Sequence, residues 1–80
     1  MKRWVVYLLR CKDGTLYTGI TNDLAKRIKA HNEGKGAKYT RGRGPVALVG
    51  FEKVGSVSRA RVREYQIKGL SRIEKERLFR

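Results

Sequence analysis

The longest uninterrupted apolar stretch of the chain, residues 4–9, combines tryptophan, tyrosine, valine and leucine. It is far shorter than the roughly 18 to 20 residues that a membrane-spanning helix needs, and its β-branched and aromatic content is typical of a strand. Residues 12–15 carry an Asp-Gly turn signal, and a second strand-like run follows at residues 16–20. This part of the chain therefore predicts a β-hairpin.

A helix is predicted at residues 23–33, because Leu24 and Ile28 stand on one face at helical spacing. Each of the three polar residues at positions 21–23 can cap its N-terminus, and Gly34 can end it. Residues 34–45 are rich in glycine, lysine and arginine and hold the single proline, which predicts a basic loop.

Residues 46–54 predict a third strand, since they are mostly apolar and their second half alternates. A second helix follows to about Lys68, with Ser56 or Ser58 as its cap and Gly69 as its end. The S-x-x-E capping box at residues 71–74 opens a short third helix. The predicted order of elements is ββαβαα.

Eighty residues allow one domain with one modest core, here residues 1–80. The first helix lies between the hairpin and the third strand, and it is long enough to serve as the crossover that a parallel strand requires. We therefore predict an α/β fold, more strictly α+β, with a three-stranded mixed β-sheet flanked by helices.

The charge is strongly unbalanced, with 20 Lys and Arg against 7 Asp and Glu and a formal net charge of +13. Such a chain needs a polyanionic partner, and nucleic acid is favoured over a membrane because the basic residues do not follow one long amphipathic helix. Charge alone would equally fit solubility or a ribosome-like structural role. It does not separate DNA from RNA.

Cysteine and histidine each occur once, which excludes an intramolecular disulfide and a zinc site of the usual Cys/His spacing. A weakly bound catalytic metal ion is not excluded. The two basic residues ahead of the first strand are not followed by the long apolar stretch and cleavage site of a signal peptide. The expected location is therefore the cytoplasm.

Polar residues interrupt the apolar faces of both longer helices. Arg27 and His31 share the face of Leu24 and Ile28 on the first helix, and Glu64 lies among small and apolar residues on the second. Ordinary readings exist: Arg27 can extend past the core edge, His31 can interact with the helix dipole, and Glu64 can pair with a nearby arginine. A half-buried carboxylate opposite Arg and His is also an arrangement that binds a divalent ion and a phosphate together.

Three tyrosines attract attention for their positions. Tyr7 and Tyr17 lie in the two hairpin strands, where ordinary sheet packing is the simpler explanation. Tyr39 lies within the basic loop, where core tyrosines are rare. An aromatic ring between cations suits stacking on a nucleotide.

These residues resemble the GIY-YIG nuclease superfamily. The resemblance rests on Tyr7, on Tyr-Thr-Gly at residues 17–19, and on Arg27, His31 and Glu64 in the following helices. Residues 16–21, 34–42 and 67–72 are similar, more narrowly, to its small stand-alone bacterial members, the UPF0213 group.

The resemblance implies a divalent-metal-dependent endonuclease with a three-stranded sheet. Glu64 would be the single protein ligand of Mg²⁺ or Mn²⁺, and Arg27 would neutralise the scissile phosphate. Tyr17 would be the general base for the attacking water, or would relay its proton, with assistance from Tyr7. His31 could orient or deprotonate the water instead.

The resemblance also implies that the loop and the second helix hold the nucleic-acid strand. The expected binding residues are Lys35, Lys38, Tyr39, Arg41, Arg43 and Lys68. DNA is expected more than RNA, in repair-like reactions that select structure rather than sequence, because the chain has no room for a fused recognition domain. No membrane and no obligate protein partner are expected.

Two departures from the family pattern are visible. Val-Val-Tyr replaces Gly-Ile-Tyr at residues 5–7 and Thr18 replaces the Ile of Tyr-Ile-Gly, while both tyrosines are kept. No asparagine occurs after Asn32, although many family nucleases use one downstream of the glutamate. A non-catalytic DNA- or RNA-binding module, or an assembly partner of ribosomes or repair machinery, therefore stays open as an alternative.

Overall fold

The computed structural model describes residues 3–79, and its elements follow the predicted ββαβαα order. The strands are β1 (Trp4–Arg10), β2 (Leu16–Thr21) and β3 (Ala47–Gly55). The helices are α1 (Leu24–Asn32), α2 (Val57–Lys68) and α3 (Arg72–Leu78), and a short 3₁₀ turn covers Lys38–Thr40 in the basic loop. The ends of the predicted domain, Met1, Lys2 and Arg80, lie outside the described residues.

The predicted helix boundaries are confirmed by their caps. Asp23 caps α1 by accepting a hydrogen bond from the Lys26 amide, and Ser56 caps α2. The Ser71–Glu74 capping box is complete at the start of α3, with both reciprocal hydrogen bonds present. Capping satisfies amides that have no partner within the helix, and its signal lies in a few consecutive residues.

The sheet has the strand order β2-β1-β3, and β1 pairs antiparallel with both neighbours. The α+β class with a three-stranded sheet is confirmed, but the expectation of a mixed sheet is wrong. The crossover through α1 does make β2 and β3 run in the same direction. They form no parallel pair because β1 lies between them.

The central position of β1 explains its unbroken apolar run, since Val5–Leu9 are all buried. On one face of the sheet, Tyr7 and Leu9 pack with Val46 and with α1. On the other face, Val6 packs with Ala60 and Ile67 of α2. Within residues 3–79, no helix has the length and apolarity that a membrane crossing requires.

Candidate active site

Tyr7 is completely buried, yet its hydroxyl extends across the edge strand β2. In the antiparallel register Tyr7 pairs with Gly19, and a Cβ at Gly19 would lie only 2.6 Å from Tyr7 Cζ and 3.0 Å from Tyr17 Cε2. The absence of a side chain at position 19 therefore makes room for both phenol rings. The Tyr-Thr-Gly motif has a steric reason for its glycine.

The Tyr7 hydroxyl is hydrogen-bonded to Nε2 of His31 at 2.8 Å, and the two rings meet edge to face. His31 is 1% exposed, and its other ring nitrogen, Nδ1, lies 2.7 Å from Oγ1 of Thr40. Both imidazole nitrogens are thus engaged inside the protein. Because the ring is buried and both of its nitrogens are hydrogen-bonded, the alternative that His31 deprotonates water itself is not favoured.

Arg27 of α1 lies beside this pair and influences both groups. Burial raises the pKa of Tyr7 to about 12, while a hydrogen bond from Arg27 opposes the rise and the charges of Tyr17 and Glu64 add to it. Burial, followed by the charge of Arg27, lowers the pKa of His31. The imidazole is therefore neutral at neutral pH.

Tyr17 is half-buried and stands between the buried pair and the basic loop. Its ring centroid lies 5.2 Å from that of His31 and 6.3 Å from that of Tyr7. On the loop side it stacks with Tyr39, with 5.9 Å between centroids and 24° between ring planes. Of the two hairpin phenols, Tyr17 is the one that borders open space.

Glu64 comes from α2, on the opposite side of the sheet from α1, and faces β2. Its side chain is 22% exposed and pairs with Lys68 one turn later, at 3.4 Å from Nζ to Oε2. Its charge is the smallest of the causes that raise the pKa of Tyr7. Glu64 is therefore half-buried, as predicted, with a lysine rather than an arginine as its ion-pair partner.

A cleft of about 320 Å³ lies between β2, the basic loop and the two C-terminal helices, beside Tyr17 and Tyr39. A second cleft of about 260 Å³ shares Leu16, Tyr39 and Lys75 with it. The first is lined by Leu16, Tyr17, Thr18, Tyr39, Lys68 and Lys75. A larger cleft of about 490 Å³ lies between β3 and α2, but none of the predicted site residues lines it.

The predicted nucleic-acid-binding residues divide into two groups. Lys35, Lys38 and Arg41 project from the loop as exposed side chains, and Tyr39 and Lys68 border the cleft. Arg43 differs, because it forms an ion pair with Asp13 of the hairpin turn and lies 4.5 Å from the centre of the Tyr39 ring. It anchors the loop to the hairpin and orients Tyr39.

Three residues of the site were missed by the sequence analysis. Thr40, in the loop, is hydrogen-bonded to His31. Gly36 packs on the His31 ring. Lys75 of α3 lines both clefts. The sequence around Thr40 gives no sign that this residue is buried, because the whole loop is polar. The position of Lys75 on a helix likewise gives no sign that it lies close to the clefts. Among residues 3–79, no group of three or more His, Cys, Asp or Glu side chains could hold a metal ion together.

Comparison with known families agrees with this geometry. The family described as the GIY-YIG catalytic domain matches residues 3–77. A UPF0213 protein of Clostridium perfringens is 63% identical over 92% of this chain and 80% of its own length. A UPF0213 protein of Halobacterium salinarum is 57% identical, covering 92% of this chain and 96% of its own.

Two solution NMR structures share the fold. That of a UPF0213 protein from Bacillus halodurans has 54% identity and a TM-score of 0.58, covering 95% of this chain and 81% of the other. That of a protein from E. faecalis has 39% identity and a TM-score of 0.66, covering 98% and 83%. The similarity therefore extends over nearly the whole of each chain.

Proposed function

Because the chain belongs to the GIY-YIG catalytic-domain family, we propose that it is a divalent-metal-dependent endonuclease that cleaves phosphodiester bonds. The family is that of a nuclease superfamily whose members act on nucleic acid. The finer proposal is hydrolysis of DNA, selected by structure rather than sequence, in the cytoplasm. One observation carries it: Tyr7, Tyr17, Arg27 and His31 form one cluster of hydrogen bonds and ring contacts, and Tyr17 extends that cluster to a cleft that Lys68 and Lys75 also line.

The metal is proposed to bind at Glu64. A single carboxylate with part of its surface open fits Mg²⁺ or Mn²⁺, since Mg²⁺ keeps several waters and takes few protein ligands. When bound, such an ion would neutralise charge on the phosphate oxygens and favour deprotonation of the attacking water. Lys68 would exchange its contact with Glu64 for one with a phosphate, at little cost because the Lys68 side chain is 54% exposed.

Tyr17, the phenol that borders the cleft, is proposed to relay the proton of the attacking water: it accepts that proton while its own hydroxyl proton passes to solvent in the cleft, and solvent protonates the leaving oxygen. The new O–P bond forms as the bond from phosphorus to the leaving oxygen breaks, and Arg27 neutralises charge that grows on the phosphate. Tyr7 assists through its hydroxyl, which is hydrogen-bonded to the neutral His31 ring. Because its pKa is raised, Tyr7 keeps its hydroxyl proton at neutral pH, which fits this supporting role.

The test is nicking of supercoiled DNA, and of single-stranded, duplex, flapped and four-way oligonucleotides, with Mg²⁺, Mn²⁺ or EDTA. Glu64→Gln and Arg27→Ala should each reduce cleavage by at least about 100-fold, the scale of losing one transition-state contact. Glu33→Gln and Arg59→Ala are the matched controls, with the same charge changes at exposed positions. Cleavage that survives Glu64→Gln with unchanged folding would overturn the proposed site.

A second candidate is a binding module that holds DNA or RNA without cutting it. The Glu64–Lys68 ion pair and the lack of asparagine after Asn32 favour it. It predicts tight binding with no product under any metal condition. The same oligonucleotide panel, scored for both binding and cleavage, separates the two candidates.

A further inference from the structure

The basic loop is attached to the interior of the site through one side chain. Thr40 is 1% exposed although the residues beside it, Tyr39 and Arg41, are exposed. Its Oγ1 lies 2.7 Å from His31 Nδ1 and 2.9 Å from the carbonyl oxygen of Ala37. A continuous chain of hydrogen bonds thus joins the cationic loop, through Thr40 and His31, to Tyr7.

The hydrogen atoms in this network can be assigned by counting. A threonine hydroxyl has one proton, and a carbonyl oxygen can only accept, so the contact with Ala37 uses that proton. The short contact with His31 then requires Nδ1 to be the donor. A neutral imidazole carries one proton, which leaves Nε2 as the acceptor for the Tyr7 hydroxyl.

A competing arrangement is available but has poorer geometry. If Nδ1 were the acceptor, its donors would be Thr40 and the Ala37 amide, and the amide is 3.4 Å away, at the long limit for a hydrogen bond. The Ala37 carbonyl would then lose the bond from the Thr40 hydroxyl and keep the one from the Thr40 amide, at 3.1 Å. Nε2 would carry the proton and Tyr7 would have to accept it.

We infer that Thr40 is a positioning residue that fixes the proton of His31 on Nδ1, so that Nε2 accepts the hydrogen bond of Tyr7. The catalytic consequence, that Nε2 orients the Tyr7 hydroxyl by accepting its hydrogen bond, rests on the proposed nuclease function. The loop that holds Lys38 and Arg41 thereby also sets the hydrogen-bonding state of a buried phenol. The loop must therefore be folded for the Tyr7–His31 hydrogen bond to have this direction.

The direct test is ¹⁵N NMR of the imidazole, which is unambiguous because the chain has one histidine. The long-range ¹H–¹⁵N spectrum of the unliganded protein at neutral pH distinguishes the two tautomers by which ring nitrogen is protonated. Protonation at Nδ1 alone supports the inference. Protonation at Nε2 alone, or at both nitrogens, overturns it.

Two variants test the role of the hydroxyl. Thr40→Val keeps the shape but removes the acceptor, leaving the Ala37 amide as the group that faces Nδ1, so the proton should move to Nε2. Cleavage should fall about tenfold, the scale of losing an orienting partner. Thr40→Ser keeps the hydroxyl and should restore both the Nδ1 signal and the activity. A Thr40→Val protein with the wild-type tautomer and rate would contradict the inference.

The NMR result does not depend on catalysis, so the two proposals can fail separately. A protein with protonated Nδ1 that never cleaves nucleic acid would retain the positioning role and lose the nuclease function. A protein that cleaves with protonated Nε2 would keep the nuclease function and lose the role of Thr40. If Thr40→Val does not fold, the wild-type spectrum still decides the tautomer.

Discussion

At the scale of single residues, the smallest side chain of the site has the clearest structural role. Gly19 sits in the edge strand β2 opposite Tyr7, and its hydrogen leaves the space that the Tyr7 hydroxyl occupies. The hydroxyl reaches His31 only because it can lie across that strand. The position of the Tyr7 hydroxyl is therefore set by a residue that carries no functional group.

Gly19→Ala should displace Tyr7 from His31. The added Cβ would overlap the end of the Tyr7 ring, and overpacking of this kind costs about 1 to 3 kcal/mol of unfolding free energy. Urea unfolding measures the stability, and the nicking assay measures the loss of activity that we expect with it. Gly69→Ala is the matched control, because its Cβ would meet nothing nearer than 3.5 Å. Equal behaviour of the two variants would rule out the steric role.

Which residues approach one another could be predicted only in part at this scale. Arg27 and Glu64 were recognised because each interrupts an apolar helical face; Arg27 is hydrogen-bonded to Tyr7, whose pKa the charge of Glu64 also raises. Thr40 was not recognised, because its burial depends on a loop conformation that leaves no periodic pattern. The roles proposed for these residues stay predictions until they are measured.

At the scale of elements, α3 contributes more than its length implies. It has no buried residue, and Glu76 ties it to Arg10 of β1 through an ion pair. Its N-terminal half faces the loop, so Lys75 lines both clefts and Arg72 lines one. The helix extends the cationic surface from the proposed metal site along the path that a bound strand would follow.

Lys75→Ala should weaken binding of a single-stranded oligonucleotide several-fold, measured by fluorescence anisotropy in EDTA. Loss of one phosphate contact should also reduce the salt dependence, with the slope of log K against log salt concentration smaller by about 0.7. Lys53→Ala removes the same charge from the cleft between β3 and α2 and should leave binding nearly unchanged. Equal losses in the two variants would show that only net charge matters.

Local and non-local signals differ at this scale. Each helix start was predictable, because a cap and its partner lie within four residues of one another. The neighbour of β3 was not, since the pairing of Tyr7 with Phe51 joins segments separated by a helix and a loop. The direction of β3 relative to β2 could be predicted from the crossover through α1, whereas the order of the strands in the sheet could not.

At the scale of the whole molecule, the net charge of +13 is distributed over a body with principal extents of 30 × 30 × 20 Å. The described acidic groups are largely engaged in local pairs, as with Arg63 and Glu52 or Arg72 and Glu76. Most of the basic side chains are therefore left to act on a partner. Non-specific attraction to a polyanion follows from charge and size alone.

Binding to duplex DNA should fall steeply with salt. If about five phosphates are neutralised, log K should decrease against log salt with a slope of roughly −4.5, because each contact contributes about 0.9. A titration between about 50 and 200 mM salt measures the slope. An affinity that does not change with salt would contradict both the nuclease and the binding-module proposals.

The central place of β1 has a consequence for how the protein is made. The ribosome completes this strand before either neighbour, yet its second flank is filled only when the chain has grown as far as Gly55. Until then the hairpin exposes one open edge and the apolar face that α2 later covers. The nascent chain therefore acquires its finished sheet late, after most of its length has been synthesised.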